Sequence, residues 1–464
     1  MSGEPLPVAE VSVDLLHRYN VPGPRYTSYP TAPVWREGVG PEDYEEILAE
    51  SNAGTEPAPL SLYLHIPFCE SLCYFCACTV VITGNHAVED PYLALLEKEI
   101  DWVSERVGGE REVVQLHWGG GTPTYLAPDR ITRLAAKLRS AFPFASDAEV
   151  GVEIDPRVTT PAHLTALRAA GFNRLSMGVQ DFDAAVQEAI NRVQTYEGTR
   201  ALVESAREMG FDSVNMDLIY GLPLQTPDSF RVTIEKILEI GPDRLAVYSY
   251  ANVPWLKKHQ KLLETRLPGE REKFEIFRTA LARFAEAGYE YIGMDHFARP
   301  EDELARARRE RTLHRNFQGY TTKAGTDLIG MGVSAIGAVG NAFVQNRREL
   351  ADYRRAIESD GAATFRGFRL SFDDRLRREV IGNLLCHGVV VIAEIETAFG
   401  IDFREYFADA LHRLATCEAD GLVEISDEEV RATPLGRVFL RNLAMAFDAY
   451  LTDAAEKPAF SRTL

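Results

Sequence analysis

The sequence lacks a hydrophobic run long enough to cross a membrane. Its longest uncharged run, residues 328–344, is slightly short for a span and contains four glycines. We expect buried strand and loop there, and no membrane span. The opening segment, MSGEPLPVAEVSVDLL, has neither a basic start nor an apolar core, so no secretory signal is expected. These absences predict a cytoplasmic, reducing location.

An excess of positive charge is also lacking. Against 69 acidic residues the chain has 50 lysines and arginines, which gives a formal net charge of −19. Non-specific binding to nucleic acid depends on a basic surface, so no nucleic-acid partner is expected. An anionic substrate would therefore need locally placed arginines.

Cysteine is scarce, and its distribution is uneven. Four of the six cysteines, Cys69, Cys73, Cys76 and Cys78, lie within ten positions. Soft thiolates in a tight loop are ligands for a multi-iron cluster. A structural zinc site is a weaker alternative, because the chain has no second CxxC pair. Disulfides rank below zinc, because no export signal is present.

Apolar runs alternate with helical stretches between residues 61 and about 295. Two helix starts are predicted by a capping side chain before proline, at Asp90 and at Thr160, and Gly171 ends the second helix. Strands separated by helices indicate a parallel sheet, and six such units favour a full or partial α/β barrel over a doubly wound open sheet. The predicted strands are residues 62–66, 113–118, 149–154, 174–179, 214–219 and 245–250.

Polar and glycine residues cluster at the ends of these strands. In parallel α/β folds the chemistry lies at the carboxyl ends, and the cysteine loop directly follows the first strand. The other residues at these ends are the GGGT stretch 119–122, Glu153, Asp155, Gln180, Asp217, Tyr220 and Ala251.

The segments before residue 61 and after about residue 295 do not follow this alternation of strands and helices. Residues 21–31 are rich in proline and glycine and predict an extended arm, from which Arg25 is a candidate ligand for a polar group. Residues 301–311 predict a charged helix, and residues 314–320 predict a functional loop without regular structure. Beyond residue 350 we expect helices, a β-ribbon at 422–433 and a helix at 435–450. This order of elements is typical of a winged-helix domain. We expect the domain to act as a lid or to pack on the barrel.

We therefore expect three parts. Residues 1–60 form an N-terminal arm, residues 61–349 an α/β barrel with its extension, and residues 350–464 a mainly helical, winged-helix-like domain.

The CxxxCxxC spacing after an apolar strand resembles the radical S-adenosylmethionine (SAM) superfamily. Three cysteines on a [4Fe-4S] cluster leave one iron open for the amino and carboxylate groups of SAM, which the reduced cluster cleaves to a 5′-deoxyadenosyl radical. The resemblance implies a partial (β/α) barrel of the radical SAM type. It does not by itself indicate a substrate.

Longer motifs extend the resemblance beyond the cysteine spacing. They are YLHIPFCESLCYFCAC, HWGGGTPTYL, RLSMGVQDFD, NMDLIYGLP, GMDHFARPEDELA, LHRNFQGYTT, PGPRYTSYPT and FSRTL. Together they resemble the family of oxygen-independent coproporphyrinogen III oxidases, also called coproporphyrinogen dehydrogenases. The resemblance implies oxidative decarboxylation of two propionates of coproporphyrinogen III to vinyl groups, which gives protoporphyrinogen IX in haem biosynthesis.

The resemblance also implies roles for individual residues. The cluster is held by Cys69, Cys73 and Cys76, while Cys78 does not ligate it and assists turnover. Two SAM molecules are implied. The first contacts Tyr63, Gly120, Glu153 and Ile336, and the second contacts Phe75, Gly121, Thr122, Gln180, Arg192, Asp217 and Ala251.

The expected partners are coproporphyrinogen III and an electron donor such as a flavodoxin or ferredoxin system, with the protein a monomer. A haem chaperone or haem-transfer protein on the same fold is the alternative. Such relatives generally lack the fourth nearby cysteine and the HRNFQGYTT segment, and this chain has both.

Overall fold

The computed structural model describes residues 7, 11–54, 56–451 and 460–463. Predictions for the remaining positions, including most of the opening segment, lie outside the described residues. The strands are β1 (Arg36–Glu37), β2 (Leu60–Ile66), β3 (Phe68–Cys69), β4 (Val81–Ile82), β5 (Val113–Gly120), β6 (Phe144–Ile154), β7 (Arg174–Gln180), β8 (Ser213–Tyr220), β9 (Arg244–Ser249), β10 (Glu290–Gly293), β11 (His296–Ala298), β12 (His314–Asn316), β13 (Gly319–Thr321), β14 (Asp327–Met331), β15 (Ile336–Val339), β16 (Ala342–Asn346), β17 (Thr364–Arg369), β18 (Val389–Val391), β19 (Val423–Ile425) and β20 (Glu429–Ala432).

The helices lie mostly between these strands and in the last quarter of the chain. The α-helices are α1 (Val13–Tyr19), α2 (Pro41–Asn52), α3 (Glu89–Ser104), α4 (Pro128–Ala141), α5 (Pro161–Ala169), α6 (Ala184–Ala189), α7 (Tyr196–Glu208), α8 (Pro227–Ile240), α9 (Glu270–Glu286), α10 (Glu303–Glu310), α11 (Leu350–Asp360), α12 (Phe372–His387), α13 (Ile392–Phe399), α14 (Phe403–Tyr406), α15 (Ala408–Ala419) and α16 (Leu440–Met445). Short 3-10 helices occur at Ala32–Val34, His86–Val88, Pro123–Tyr125, Lys258–Leu262, Glu264–Arg266 and Gly436–Phe439. None of the helices in the described ranges combines the length and apolar character that a membrane span needs.

One large sheet organises the molecule. Its strand order is β1-β17-β16-β15-β14-β2-β5-β6-β7-β8-β9-β11-β10, and the seven strands from β14 to β9 are parallel. Their carboxyl ends therefore meet at one edge. The six strands predicted from apolar runs are β2 and β5 to β9, and this prediction is confirmed.

The sheet forms a partial barrel rather than a doubly wound layer. From β2 to β9 the strands follow chain order, and each intervening helix packs on the next, from α3 through α4, α5 and α7 to α8 and α9. Consecutive neighbours of this kind form one outer layer of helices, whereas a doubly wound sheet has helices on both faces. The outermost strands β1 and β10 do not pair with each other, so the barrel is open. The predicted fold class is confirmed.

The helix ends predicted at Thr160 and Gly171 are confirmed, and the helix start predicted at Asp90 is wrong. Thr160 is the N-cap of α5, with Pro161 at the first helical position, and Gly171 follows the helix at φ +91°, as expected for glycine after a C-cap. The predicted cap at Asp90 is wrong. The helix α3 begins one residue earlier, at Glu89, so Asp90 lies in its first turn and faces Arg130 at 3.0 Å.

Strands from both ends of the chain extend the sheet. The strand β17 pairs with β16 and with β1, so residues 364–369 belong to the large sheet although they follow residue 350. The segment 314–320 is also more regular than predicted. It contains β12 and β13, which form an antiparallel hairpin, and the Tyr320 hydroxyl donates to the Leu385 carbonyl at 2.7 Å.

The C-terminal part consists of α12 to α16 around a small antiparallel sheet, β18-β20-β19. The predicted ribbon at 422–433 is confirmed as β19 and β20. The predicted long helix at 435–450 is wrong, because a 3-10 turn and the short α16 take its place. This part packs on the barrel through α12, which contacts β10 and β12.

Candidate active site

The cysteine loop begins where β2 ends, at the carboxyl edge of the parallel sheet. Cys69 lies in β3, which pairs in parallel with β4, and Cys76 N–H donates to the Cys73 carbonyl at 3.1 Å in a tight turn. All six cysteines carry free thiols. The local backbone therefore presents three thiols from one loop, and the disulfide alternative does not match the structure.

Two guanidinium groups lie beside the buried Cys73. Arg157 Nη2 is 3.4 Å and Arg192 Nη1 is 3.6 Å from its Sγ. Asp155, at the end of β6, holds both arginines through its Oδ2, at 2.6 Å and 2.9 Å. The Cys73 sulfur therefore lies between two guanidinium donors whose orientation Asp155 fixes.

Cys76 and Cys78 behave as a pair. A hydrogen bond from the Cys78 thiol lowers the pKa of Cys76, and the same interaction raises the pKa of Cys78. The two thiols therefore lie in direct contact, and the roles of Cys76 as a ligand and of Cys78 as a non-ligand stay predictions.

The connection between β9 and α9 holds the cysteine loop in place through hydrogen bonds to its carbonyl groups. His259 Nε2 lies 2.9 Å from the Cys76 carbonyl oxygen, Lys257 Nζ donates to the Cys78 carbonyl at 2.7 Å, and Gln260 Nε2 donates to the Phe75 carbonyl at 2.8 Å. The loop is therefore held from the far side of the barrel, which fixes the thiols relative to the strand ends.

The donor set fits an iron–sulfur cluster better than a single metal ion. In the part of the chain that the structure describes, no three His, Cys, Asp or Glu side chains come together in a group that could hold one ion. Three thiols spread along one loop, without imidazole or carboxylate ligands among them, suit a larger cluster.

The glycines after β5 lie against the start of the cysteine loop. Gly121 N–H donates to the Ile66 carbonyl at 2.8 Å, and Thr122 N–H donates to the Phe68 carbonyl at 2.9 Å. A Cβ at Gly121 would lie 2.6 Å from the Pro67 backbone, so only glycine permits this approach. Thr122 Oγ1 is in turn 3.4 Å from Cys69 Sγ.

Glu153 forms a second polar group at the strand ends. It accepts from Gly120 N–H at 3.1 Å and lies 3.4 Å from His117 Nε2, whose ring stacks on Tyr63. Burial opposes its ionisation, but the hydrogen bond and charge of His117 outweigh it and lower the pKa of Glu153. Its side chain is 46% exposed, so an ionised carboxylate is accessible to a ligand.

Asp217 is an unusual carboxyl in the interior of the barrel. Burial raises its pKa to about 7, and the nearby Glu153 charge adds to this, although Asn215 donates a hydrogen bond to its Oδ1 at 2.8 Å. A positively charged ligand would favour the ionised form.

Several buried polar atoms near these carboxylates have no hydrogen-bond partner. They include Gln180 Oε1 and Arg192 Nε, whose side chains both lie against Gly178, the residue paired with Asp217 in the sheet. Gln180 also has φ +68°, a strained conformation for a non-glycine residue that is common at functional sites. Unpaired groups of this kind are costly in a protein interior, and a polar ligand would satisfy them.

The other predicted SAM contacts lie farther along the sheet edge. Phe75 packs against the apolar cluster of Val186 and Ile219, and Ala251 accepts a hydrogen bond from Gln260 at 3.2 Å. Ile336, in β15, packs on Gly330, which pairs with Tyr63 in the sheet. The structure thus arranges all predicted site residues around the carboxyl edge or on strands next to it, and their individual roles stay predictions.

The residues missed by the sequence reasoning include Arg157 and Lys257. Arg157 contacts Cys73, and Lys257 contacts the Cys78 carbonyl. Arg157 follows the strand-end residue Asp155 by two positions, so the strand-end rule extended into the loop would have found it. Lys257 lies in a segment without regular secondary structure, and no sequence pattern indicated a role for it.

The open barrel with a three-thiol loop defines a class of protein. The Radical SAM superfamily model matches residues 63–237, and the HemN C-terminal domain model matches residues 370–439. The chain is a radical SAM enzyme, as the cysteine spacing predicted.

Full-length relatives give the particular family. The oxygen-independent coproporphyrinogen III oxidases of Escherichia coli and Pseudomonas aeruginosa are 48% and 46% identical to this chain, over 97% of it and 98% of each relative. The solved coproporphyrinogen III oxidase (HemN) from E. coli, described as a radical SAM enzyme, matches with a TM-score of 0.89 at 47% identity, over 92% of this chain and 97% of that one. The chain belongs to the family of oxygen-independent coproporphyrinogen III oxidases.

Proposed function

We propose that this enzyme decarboxylates two propionate side chains of coproporphyrinogen III to vinyl groups and so forms protoporphyrinogen IX. Full-length similarity to enzymes named for this activity carries the proposal. A hydrogen atom leaves the propionate β-carbon, carbon dioxide is lost, and one electron passes to an acceptor. A [4Fe-4S] cluster, when bound, supplies the electron that cleaves SAM to the 5′-deoxyadenosyl radical.

The residues of the loop hold and shield the cluster. Cys69, Cys73 and Cys76 provide the thiolates, and the guanidinium groups beside Cys73 offset their negative charge. The contacts from Lys257 and His259 fix the loop, which limits access of water to the reacting atoms.

We further propose two SAM sites. Glu153 accepts a hydrogen bond from the ammonium or ribose of the first SAM, aided by Tyr63, Gly120 and Ile336. The second SAM lies near Asp217, whose ionised form balances the sulfonium charge. Its other contacts are Phe75, Gly121, Thr122, Gln180, Arg192 and Ala251. The unpaired atoms of Gln180 and Arg192 support this placement.

The remaining assignments are also proposals. The enzyme acts as a cytoplasmic monomer that takes electrons from a flavodoxin or ferredoxin system. Its units are the arm to residue 60, the barrel and the helical C-terminal domain. The pairing of β17 with β16 favours a boundary near residue 370 rather than 350.

Anaerobic product analysis tests the function. The reconstituted enzyme, with SAM and a reductant, should convert coproporphyrinogen III to a product lighter by two carbon dioxide molecules and four hydrogen atoms, detected by mass spectrometry. Formation of 5′-deoxyadenosine in step with product would tie the reaction to SAM. Stoichiometric haem binding without any decarboxylation would contradict the proposal and favour the haem-chaperone alternative.

A further inference from the structure

Four basic side chains from distant parts of the chain meet beside β9. We name them the basic group: Arg25, Lys273, Arg315 and Arg441. The charges of all four act on the carboxyl of Asp295, which is 16% exposed. Arg25 Nη1 lies 4.0 Å from Asp295 Oδ2, and its Nη2 donates to the Ser249 carbonyl at 3.1 Å.

The cations of the basic group lie close enough for their charges to act on one another. Burial and the neighbouring charge of Arg25 lower the pKa of Lys273 to about 8 and the pKa of Arg441 to about 10. Like charges held together away from bulk water oppose one another. A bound anion would relieve this repulsion.

Arg441 serves mainly to hold the chain in place. It is 6% exposed, and it donates to the carbonyls of Gly23, Pro24 and Thr463 at 2.7, 3.1 and 2.8 Å. These contacts fix the arm next to Arg25. The hydrogen bonds of Arg441 go to neutral carbonyls, so the charge of Arg441 still adds to the local positive potential.

Arg315 has donors left for a ligand. Its Nε and Nη1 atoms are buried without a hydrogen-bond partner, while Nη2 lies 3.5 Å from the Arg25 carbonyl oxygen. Its guanidinium lies over the Tyr320 ring at 4.9 Å, which fixes its plane. Arg315 also lines a cavity of about 450 Å³ between the arm, β12 and α12. Unpaired buried guanidinium donors are costly and indicate a missing acceptor.

The basic group adjoins the candidate active site. Arg25 lies 5.5 Å from the centre of the Tyr248 ring, and the charge of Asp217 reaches the Tyr248 hydroxyl. Ser249, which Arg25 contacts, precedes Ala251 by two residues at the end of β9. A molecule held by the basic group would therefore extend toward the carboxylates at the strand ends.

Building on the proposed function, we propose that Arg25, Lys273 and Arg315 form an anion subsite for the tetrapyrrole propionates that are not reacting. The arginine fork suits a carboxylate, and the ammonium of Lys273 adds a compact charge. An enzyme with a net charge of −19 needs such local cations to bind a tetracarboxylate. Asp295 limits the excess charge when the subsite is empty.

Porphyrin binding without turnover tests this subsite. The variants Lys273→Met and Arg315→Met are titrated anaerobically in the cluster-loaded enzyme with coproporphyrin III, which has four propionates, and mesoporphyrin IX, which has two. Each variant should bind coproporphyrin III at least about tenfold more weakly, the loss of one charge-assisted hydrogen bond. Mesoporphyrin IX retains the two propionates that do not react, so each variant should lose affinity for it by a similar factor.

Matched controls separate charge from folding. Lys236→Met removes another lysine that lies over aromatic rings, 5.8 Å from the centre of Phe182 and 5.9 Å from that of Tyr196, and it should leave porphyrin binding unchanged. Lys273→Arg retains the charge and should retain the affinity for both porphyrins. Iron content and thermal unfolding midpoint are measured for every variant.

The outcomes also separate the subsite from the reaction. Unchanged coproporphyrin III affinity in both methionine variants would overturn the subsite, as would a loss confined to coproporphyrin III, because mesoporphyrin IX carries only the propionates that do not react. A wild-type enzyme that binds coproporphyrin III but forms no decarboxylated product would instead contradict the proposed function and leave the binding result intact.

Discussion

Two buried carboxyl groups show how a structural site differs from a ligand site. Glu99, on α3, accepts from Gly332 N–H at 2.7 Å, from the Tyr353 hydroxyl at 2.6 Å and from the Asn346 amide at 2.5 Å. Asp217, inside the barrel, has one described hydrogen bond, from Asn215. Burial raises the pKa of both to about 7. The shift alone therefore does not identify a site, and the proposed ligand site at Asp217 is supported instead by the unpaired atoms of Gln180 and Arg192.

The largest effect of a substitution is expected at the cysteine loop, which, like Asp217, belongs to the candidate site. Replacing Cys69, Cys73 or Cys76 by alanine should abolish cluster binding and activity, because each removes one of three thiolate ligands. Iron analysis and the visible absorbance of the reconstituted protein measure this. The control Cys417→Ala removes a buried thiol far from the loop and should keep full iron content. A variant that loses one loop cysteine and still holds a complete cluster would show a wrong ligand assignment.

Asp217→Asn should weaken SAM binding by about 10- to 100-fold, the value of a lost hydrogen bond or contact to a charged group. In the wild type, affinity should rise between pH 6 and pH 8, because the pKa of about 7 means that the carboxylate appears in this range. The variant should lack this rise. Equilibrium dialysis with labelled SAM measures both. An unchanged pH profile in the variant would remove Asp217 from the site.

Glu99→Gln should change stability and leave SAM binding intact. The unfolded carboxyl ionises near pH 4.5 and the folded one near 7, so the unfolded state binds fewer protons between these values and stability falls as pH rises through this window. Relative to wild type, the variant should therefore gain about 3 kcal/mol from pH 4.5 to above pH 7. Unfolding curves across this range measure the difference. A difference independent of pH would show that Glu99 is ionised throughout.

The smallest expected effect on the cluster is at Cys78. Cys78→Ser should retain iron content and absorbance, because the Cys78 thiol donates to Cys76 and is expected not to ligate iron. Turnover should fall if Cys78 assists the reaction, and product analysis beside the iron assay measures it. Loss of iron in this variant would assign Cys78 to the cluster.

The parts of the fold that depend on neighbouring residues in sequence could be predicted. The parallel strands, the cysteine loop and the cap at Thr160 follow from apolar runs, spacing and proline position. The hairpin of β12 and β13 could not be predicted in this way, because its stability comes from α12 through contacts such as Tyr320 with Leu385. The pairing of β17 with β1 joins residues more than 300 positions apart and has no local signal.

The site shows the same division. Residues at strand ends, such as Glu153 and Asp217, were accessible from the strand pattern. The meeting of Arg25 with Lys273 and Arg315 depends on the arm, α9 and β12 folding onto one another, and only Arg25 was predicted. The meeting of charged side chains from distant segments could therefore not be predicted from the sequence and is seen only in the structure.

The hydrogen bonds of Arg441 also make two distant segments of the chain depend on one another. They join Gly23 and Pro24 to Thr463 through a single side chain. Loss of the segment around residue 463 would therefore loosen the arm beside Arg25.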